Sequence, residues 1–123
     1  MLSLHFILPV FMASAVLCYD AKFDKIDVDL IINDKVLFAS YTNCFLDKDS
    51  CTAEFSSELK ELLPEVISDA CAKCTKIQKA NLRKMFKYLY EEKKEVLLEL
   101  EKKYDPKNQY KDNFMAILES KDE

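Results

Sequence analysis

The sequence predicts an all-α fold, a compact bundle of about six helices, and three observations carry that expectation. The 123 residues include no glycine. Tight two-residue hairpin loops favour glycine where φ is positive, whereas helices joined by polar links can do without it. Apolar side chains recur at three- and four-residue intervals from residue 28 to residue 118, the period of helices buried along one stripe. Four cysteines spaced C-x6-C-x19-C-x2-C, at 44, 51, 71 and 74, fall at or near the junctions of these stripes and read as short-range staples.

Taken in order, residues 1–18 (MLSLHFILPVFMASAVLC) carry no Asp, Glu, Lys or Arg. Their apolar core, Leu4 to Leu17, has the length of a secretory h-region rather than of a membrane span. They are expected to be a removable signal peptide, leaving residues 19–123 as one secreted, extracellular domain without a membrane anchor. Cleavage can follow Ala15 or Cys18. The second is preferred because it leaves an even set of four cysteines.

Residues 19–27 (YDAKFDKID) read as polar, extended chain with isolated aromatics. Asp27 or Asp29 caps a short helix carrying Val28, Leu30, Ile31 and Ile32, and Asn33 or Asp34 caps the next, which aligns Leu37, Phe38, Tyr41, Cys44 and Phe45. Thr52 precedes a third helix with Phe55, Leu59, Leu62, Leu63, Val66 and Ala70 on one face. Pro64 should kink that helix or split it, because proline removes a hydrogen bond and crowds the preceding turn. Thr75 caps a long helix with Leu82, Met85, Phe86 and Leu89 inward, and Lys93 and Lys94 suit its C-terminal end. A fifth helix opens at Glu95, carries Val96, Leu97, Leu100 and Tyr104, and stops at Asp105, since the residue before Pro106 is disfavoured in the helical region. Tyr110, Phe114, Ile117 and Leu118 mark the sixth.

Composition removes most catalytic classes. Without glycine there is no phosphate-cradling loop, dinucleotide fingerprint or nucleophile elbow. The single histidine, His5, lies in the leader, so the domain has no imidazole base and no nitrogen ligand for zinc. No enzyme activity, cofactor or metal is expected. The formal charge is −4 with Lys and Glu interspersed, which points to neither nucleic acid nor an anionic membrane as partner.

The cysteines admit three pairings by spacing alone. C-A-K-C at 71–74 lacks the preceding strand that a thioredoxin-like redox site requires, and a six-residue gap between the first pair fits zinc poorly. Asp24, Asp27 and Asp29 lack the register and turn glycine of a calcium loop and read as helix caps or solvated charge.

The tandem C-x6-C and C-x2-C, with Y-T-N-C-F-L-D at 41–47, L-P-E at 63–65, C-A-K-C at 71–74 and K-Y-D-P at 103–106, closely resembles the insect chemosensory protein family, also called OS-D-like proteins. Tyr19-Asp20, Lys22, Phe23-Asp24 and Ile26-Asp27-Val28-Asp29 resemble the family's N-terminal pattern, with Phe23 in place of Tyr. The resemblance implies six helices around a hydrophobic channel, bridges joining Cys44 to Cys51 and Cys71 to Cys74, and carriage of small apolar ligands such as semiochemicals or fatty acids by a monomer. Where many members carry Trp near the start of the fifth helix, this chain has Val96, Leu97 and Leu98, which implies an aliphatic rim.

Half the chain is apolar although a third is charged, a surplus that a binding cavity can use. The candidate ligand contacts are Leu30, Ile31, Leu37, Tyr41, Phe45, Leu59, Leu63, Val66, Ile67, Leu82, Met85, Leu89, Val96 and Leu97. Tyr41 is the sharpest of them, since a phenol on an apolar stripe can orient a ligand head group. Met85 would make the wall adaptable. The alternative to a carrier is a secreted developmental or immune protein acting through its charged surface.

Overall fold

The computed structural model describes residues 18–120, so the expected leader lies almost wholly outside the described residues. Six α-helices follow a short 3-10 turn at Ala21–Lys25: α1 Val28–Asn33, α2 Lys35–Phe45, α3 Ser56–Asp69, α4 Lys76–Glu92, α5 Lys94–Tyr104 and α6 Lys111–Glu119. No strand occurs among the described residues.

The starts of these helices follow from short polar side chains. Asp27 accepts from the Leu30 N–H at 3.0 Å and starts α1, and Asp34 accepts from Val36 and Leu37 and starts α2. Thr75 and Gln78 form a reciprocal capping box on α4, each side chain accepting from the other's backbone N–H. The Thr75 hydroxyl also donates to Asp24 at 2.8 Å. Asp29 pairs with Lys84, so the three N-terminal aspartates are spent on caps and cross-helix bonds.

Local structure departs from expectation at two places, and at Pro64 it removes one of the two expected outcomes. Residues 21–25 are not extended but form the 3-10 turn, because Asp20 accepts from the Lys22 N–H and offers a local cap. The third helix opens later than its apolar stripe, whose first member, Phe55, precedes it. The chain enters that helix through Phe55 in the left-handed region, with the Ser56 hydroxyl donating to the Ala53 carbonyl at 2.7 Å. Pro64 does not split the helix, which runs unbroken from Ser56 to Asp69. Pro64 deprives only the Lys60 carbonyl of its partner N–H.

Absence of glycine does not remove the need for positive φ. Asp47, Phe55, Ala70, Cys71 and Asn108 all take left-handed values, φ 54–62°, at the helix ends where glycine is usual. At Ala70 and Cys71 the left-handed pair turns the chain out of α3, and Cys71 is bonded to Cys74 across the resulting corner. The second bridge joins Cys44, on the last turn of α2, to Cys51 in the following loop. Both pairings are those the family resemblance implies.

Helices α2, α3 and α4 each pack against more than one neighbour, and α5 and α6 lean on α3 and α4 more than on one another. The buried core is Ile31, Phe38, Tyr41, Leu89 and Leu97. An edge-to-face contact of Phe38 on Tyr88 extends it, and a second such pair, Phe23 on Phe55, joins the N-terminal turn to the entry of α3.

Asp47 joins three elements at the surface. Its carboxylate accepts from Lys60 of α3 and, at 2.7 Å, from Lys103 of α5. Those bonds hold the carboxyl down at about 2 from its usual 3.8. The folded-state value is depressed, so the contribution is complete above the unfolded value near 3.9 and lost as pH falls from about 4 to 2. Asp47→Asn is therefore expected to flatten that segment of the acid-unfolding curve while leaving neutral-pH helicity unchanged, as read by circular dichroism.

Candidate ligand cavity

The helices enclose a cavity of about 230 Å³ whose wall is almost entirely apolar. It is larger than the roughly 150 Å³ engineered void that admits benzene and smaller than the roughly 300–1,000 Å³ of drug-sized pockets. Leu59, Leu62, Leu63, Leu82 and Phe86 line it and are only half-buried although they lie in the interior.

Of the fourteen sequence candidates, eleven reach the wall. Ile31 of α1 and Tyr41 and Phe45 of α2 form one side, and Leu59, Leu63, Val66 and Ile67 of α3 another. Leu82, Met85 and Leu89 of α4 and Leu97 of α5 complete the set. Three do not border the cavity. Leu30 is 55% exposed, on the side of α1 away from Ile31. Leu37 and Val96 pack behind the core cluster. The aliphatic rim expected at 96–98 accordingly reduces to Leu97, because Leu98 points to solvent at 56% exposure.

The Tyr41 phenol does not offer its proton to the cavity. It donates to the Glu54 carbonyl at 2.6 Å, and burial, reinforced by the Glu54 carboxylate, pushes the phenol above its ordinary value. The other polar side chains of the inner wall are engaged in the same way. Thr42 donates to the Phe38 carbonyl, Gln78 to the Asp20 carbonyl at 2.9 Å, Asn81 to Ile26, and Tyr104 to Phe45 at 2.6 Å. Tyr19 donates to Glu65, which also binds Lys73. Burial and that bond raise the Tyr19 phenol, while Tyr19 and Lys73 hold the Glu65 carboxyl low. No buried side-chain oxygen or nitrogen among the described residues lacks a partner. The interior can therefore meet a ligand by shape and apolar burial, with no polar atom left to direct.

Sequence reasoning missed much of this wall. Phe38, Leu62, Phe86, Leu100, Phe114 and Ile117 lie on the helical stripes and line the cavity, but a stripe does not distinguish a side chain that faces a void from one that faces a neighbour. Phe23 and Ile26 arrive from the N-terminal segment, which hydrogen bonds from Gln78 and Asn81 stitch to α4. The four cysteine sulfurs are all consumed in disulfides, and Cys71 is 1% exposed. That placement makes Cys71–Cys74 a clasp at a helix corner.

Comparisons with known proteins agree with this architecture. The chain is 38% identical over 102 residues to ejaculatory bulb-specific protein 3 of Drosophila melanogaster and 37% identical over 102 residues to allergen Tha p 1 of Thaumetopoea pityocampa; each match spans 83% of this chain and 80% of the relative. A solved chemosensory protein in complex with bromo-dodecanol superposes with a TM-score of 0.71 at 33% identity, covering 78% of this chain and 95% of that one. Residues 19–112 match the model of the insect pheromone-binding family A10/OS-D, and the chain belongs to that family.

Proposed function

We propose that the protein is an exported, non-catalytic carrier that holds one long aliphatic molecule in the cavity and takes it through aqueous extracellular fluid. The observation that carries this reading is the apolar cavity whose polar neighbours are already bonded to one another. The solved relative with bromo-dodecanol bound supports the same ligand class. The charge-free apolar leader supports export.

Binding of this kind is driven by removing methylenes from water, worth about 0.8 kcal/mol each. Affinity should therefore rise by up to about fourfold per added carbon until the cavity is full. The test uses protein recovered from the medium of cells expressing the full chain, with displacement of an environment-sensitive apolar dye by unbranched alcohols of increasing length. An external dye is required because the chain has no tryptophan. Failure of the dye to bind, or displacement that ignores chain length, would sink the carrier reading.

A further inference from the structure

The exposed residues of the cavity wall fall in one stretch of the chain. Of all the residues that line the cavity, only Glu101 and Lys111 are exposed. They stand on either side of the α5–α6 link, Glu101 in the last turn of α5 and Lys111 in the first turn of α6. These two helices rest on α3 and α4 rather than mainly on each other. Asp105 and Tyr110 from the same link complete the rim.

The rim differs chemically from the interior. Glu101 and Lys111 make no ion pair among the described residues, and the Tyr110 hydroxyl makes no hydrogen bond among them. Asp105 is fixed in place, accepting from the Gln109 N–H at 2.7 Å and the Tyr110 N–H at 3.0 Å. Uncommitted polar groups thus gather at the exposed part of the wall, while those deeper in it are already bonded.

We propose that this rim is the head-group site and that it selects a neutral hydroxyl over a carboxylate. This rests on the carrier reading, with the aliphatic chain inside and its polar end at the rim. A hydroxyl donates to the Glu101 carboxylate and accepts from Lys111 or Tyr110, so one group satisfies both kinds of partner. A carboxylate accepts from Lys111 but meets two like charges, Glu101 and Asp105. An ammonium meets Lys111 but pairs with two carboxylates, so the rim does not discriminate against it.

The test is a competition series of dodecan-1-ol, dodecanoate and dodecylammonium at neutral pH and low salt, against the native chain, Glu101→Gln and Lys111→Gln. Both substituted positions are exposed, so the fold is not at stake. On the native chain the alcohol should bind about threefold to tenfold tighter than dodecanoate, the strength of a like-charge contact at a solvated rim, and dodecylammonium should not share that penalty. Glu101→Gln should bring dodecanoate about threefold closer to the alcohol, and Lys111→Gln should widen the gap between them by a similar factor. Equal affinity for the three head groups, or ratios that neither substitution moves, would overturn the head-group site and leave the carrier reading standing. If none of the three compounds binds, both fall.

Discussion

Met85→Trp is expected to lower affinity for dodecan-1-ol by more than about tenfold, a loss of about 1.4 kcal/mol or more. Met85 lies on α4 in the cavity wall and packs against the buried cluster. An indole there grows into empty space, so the change occupies the ligand's volume. Overpacking of a filled core costs about 1–3 kcal/mol, but an open cavity can absorb the larger ring. The melting temperature should consequently stay close to that of the native chain, and thermal denaturation separates blocked binding from failed folding. The substitution also installs the chain's only tryptophan, so residual ligand is read directly from indole emission. Undiminished affinity in a folded Met85→Trp protein would show that ligand sits elsewhere.

Leu89→Ala should produce the largest loss of stability from a single side chain. Leu89 is 2% exposed and touches the Ile31, Phe38, Tyr41 and Leu97 cluster where α1, α2, α4 and α5 meet. Truncating a buried leucine costs about 2–5 kcal/mol. At roughly 4–8 °C per kcal/mol for a domain of this size, the melting temperature should fall by at least about 8 °C. Leu89 also borders the cavity, so the lost volume joins existing space. A saturating alcohol should then restore part of the lost stability, because a ligand bound only by the folded state raises it through mass action. A fall of only a degree or two would place Leu89 outside the structural core.

Much of the fold was legible because each helix carries its own start signal. Asp27, Asp34 and Thr75 are caps whose effect depends only on residues two or three positions away. The entry to α3 was not legible, since it depends on Phe55 holding a left-handed conformation and stacking on Phe23, a contact between distant segments. The 3-10 turn at Ala21–Lys25 escaped for a related reason. The Gln78 and Asn81 bonds that anchor its flanks come from α4.

The cavity was legible as an apolar surplus, and most of its α3 and α4 wall followed from the stripes. Its exposed rim was not. Glu101 and Lys111 look like any other charged residues on an amphipathic helix, and only their place in the cavity wall distinguishes them. The hydrogen bond of Tyr41 was not legible, because the Glu54 carbonyl that accepts it lies beyond the loop closed by the Cys44–Cys51 bridge.

That bridge and its companion brace only part of the molecule. Both close small rings between residues 44 and 74, which restrain the denatured chain less than long loops would. From Lys76 onward, no covalent cross-link holds any described helix. Segments held by side-chain packing alone can open as units at a smaller cost than the whole fold. Helices α5 and α6 carry the exposed rim of the cavity and belong to this unbraced part. Transient separation of these two helices would let an alkyl chain pass while the stapled half keeps its shape.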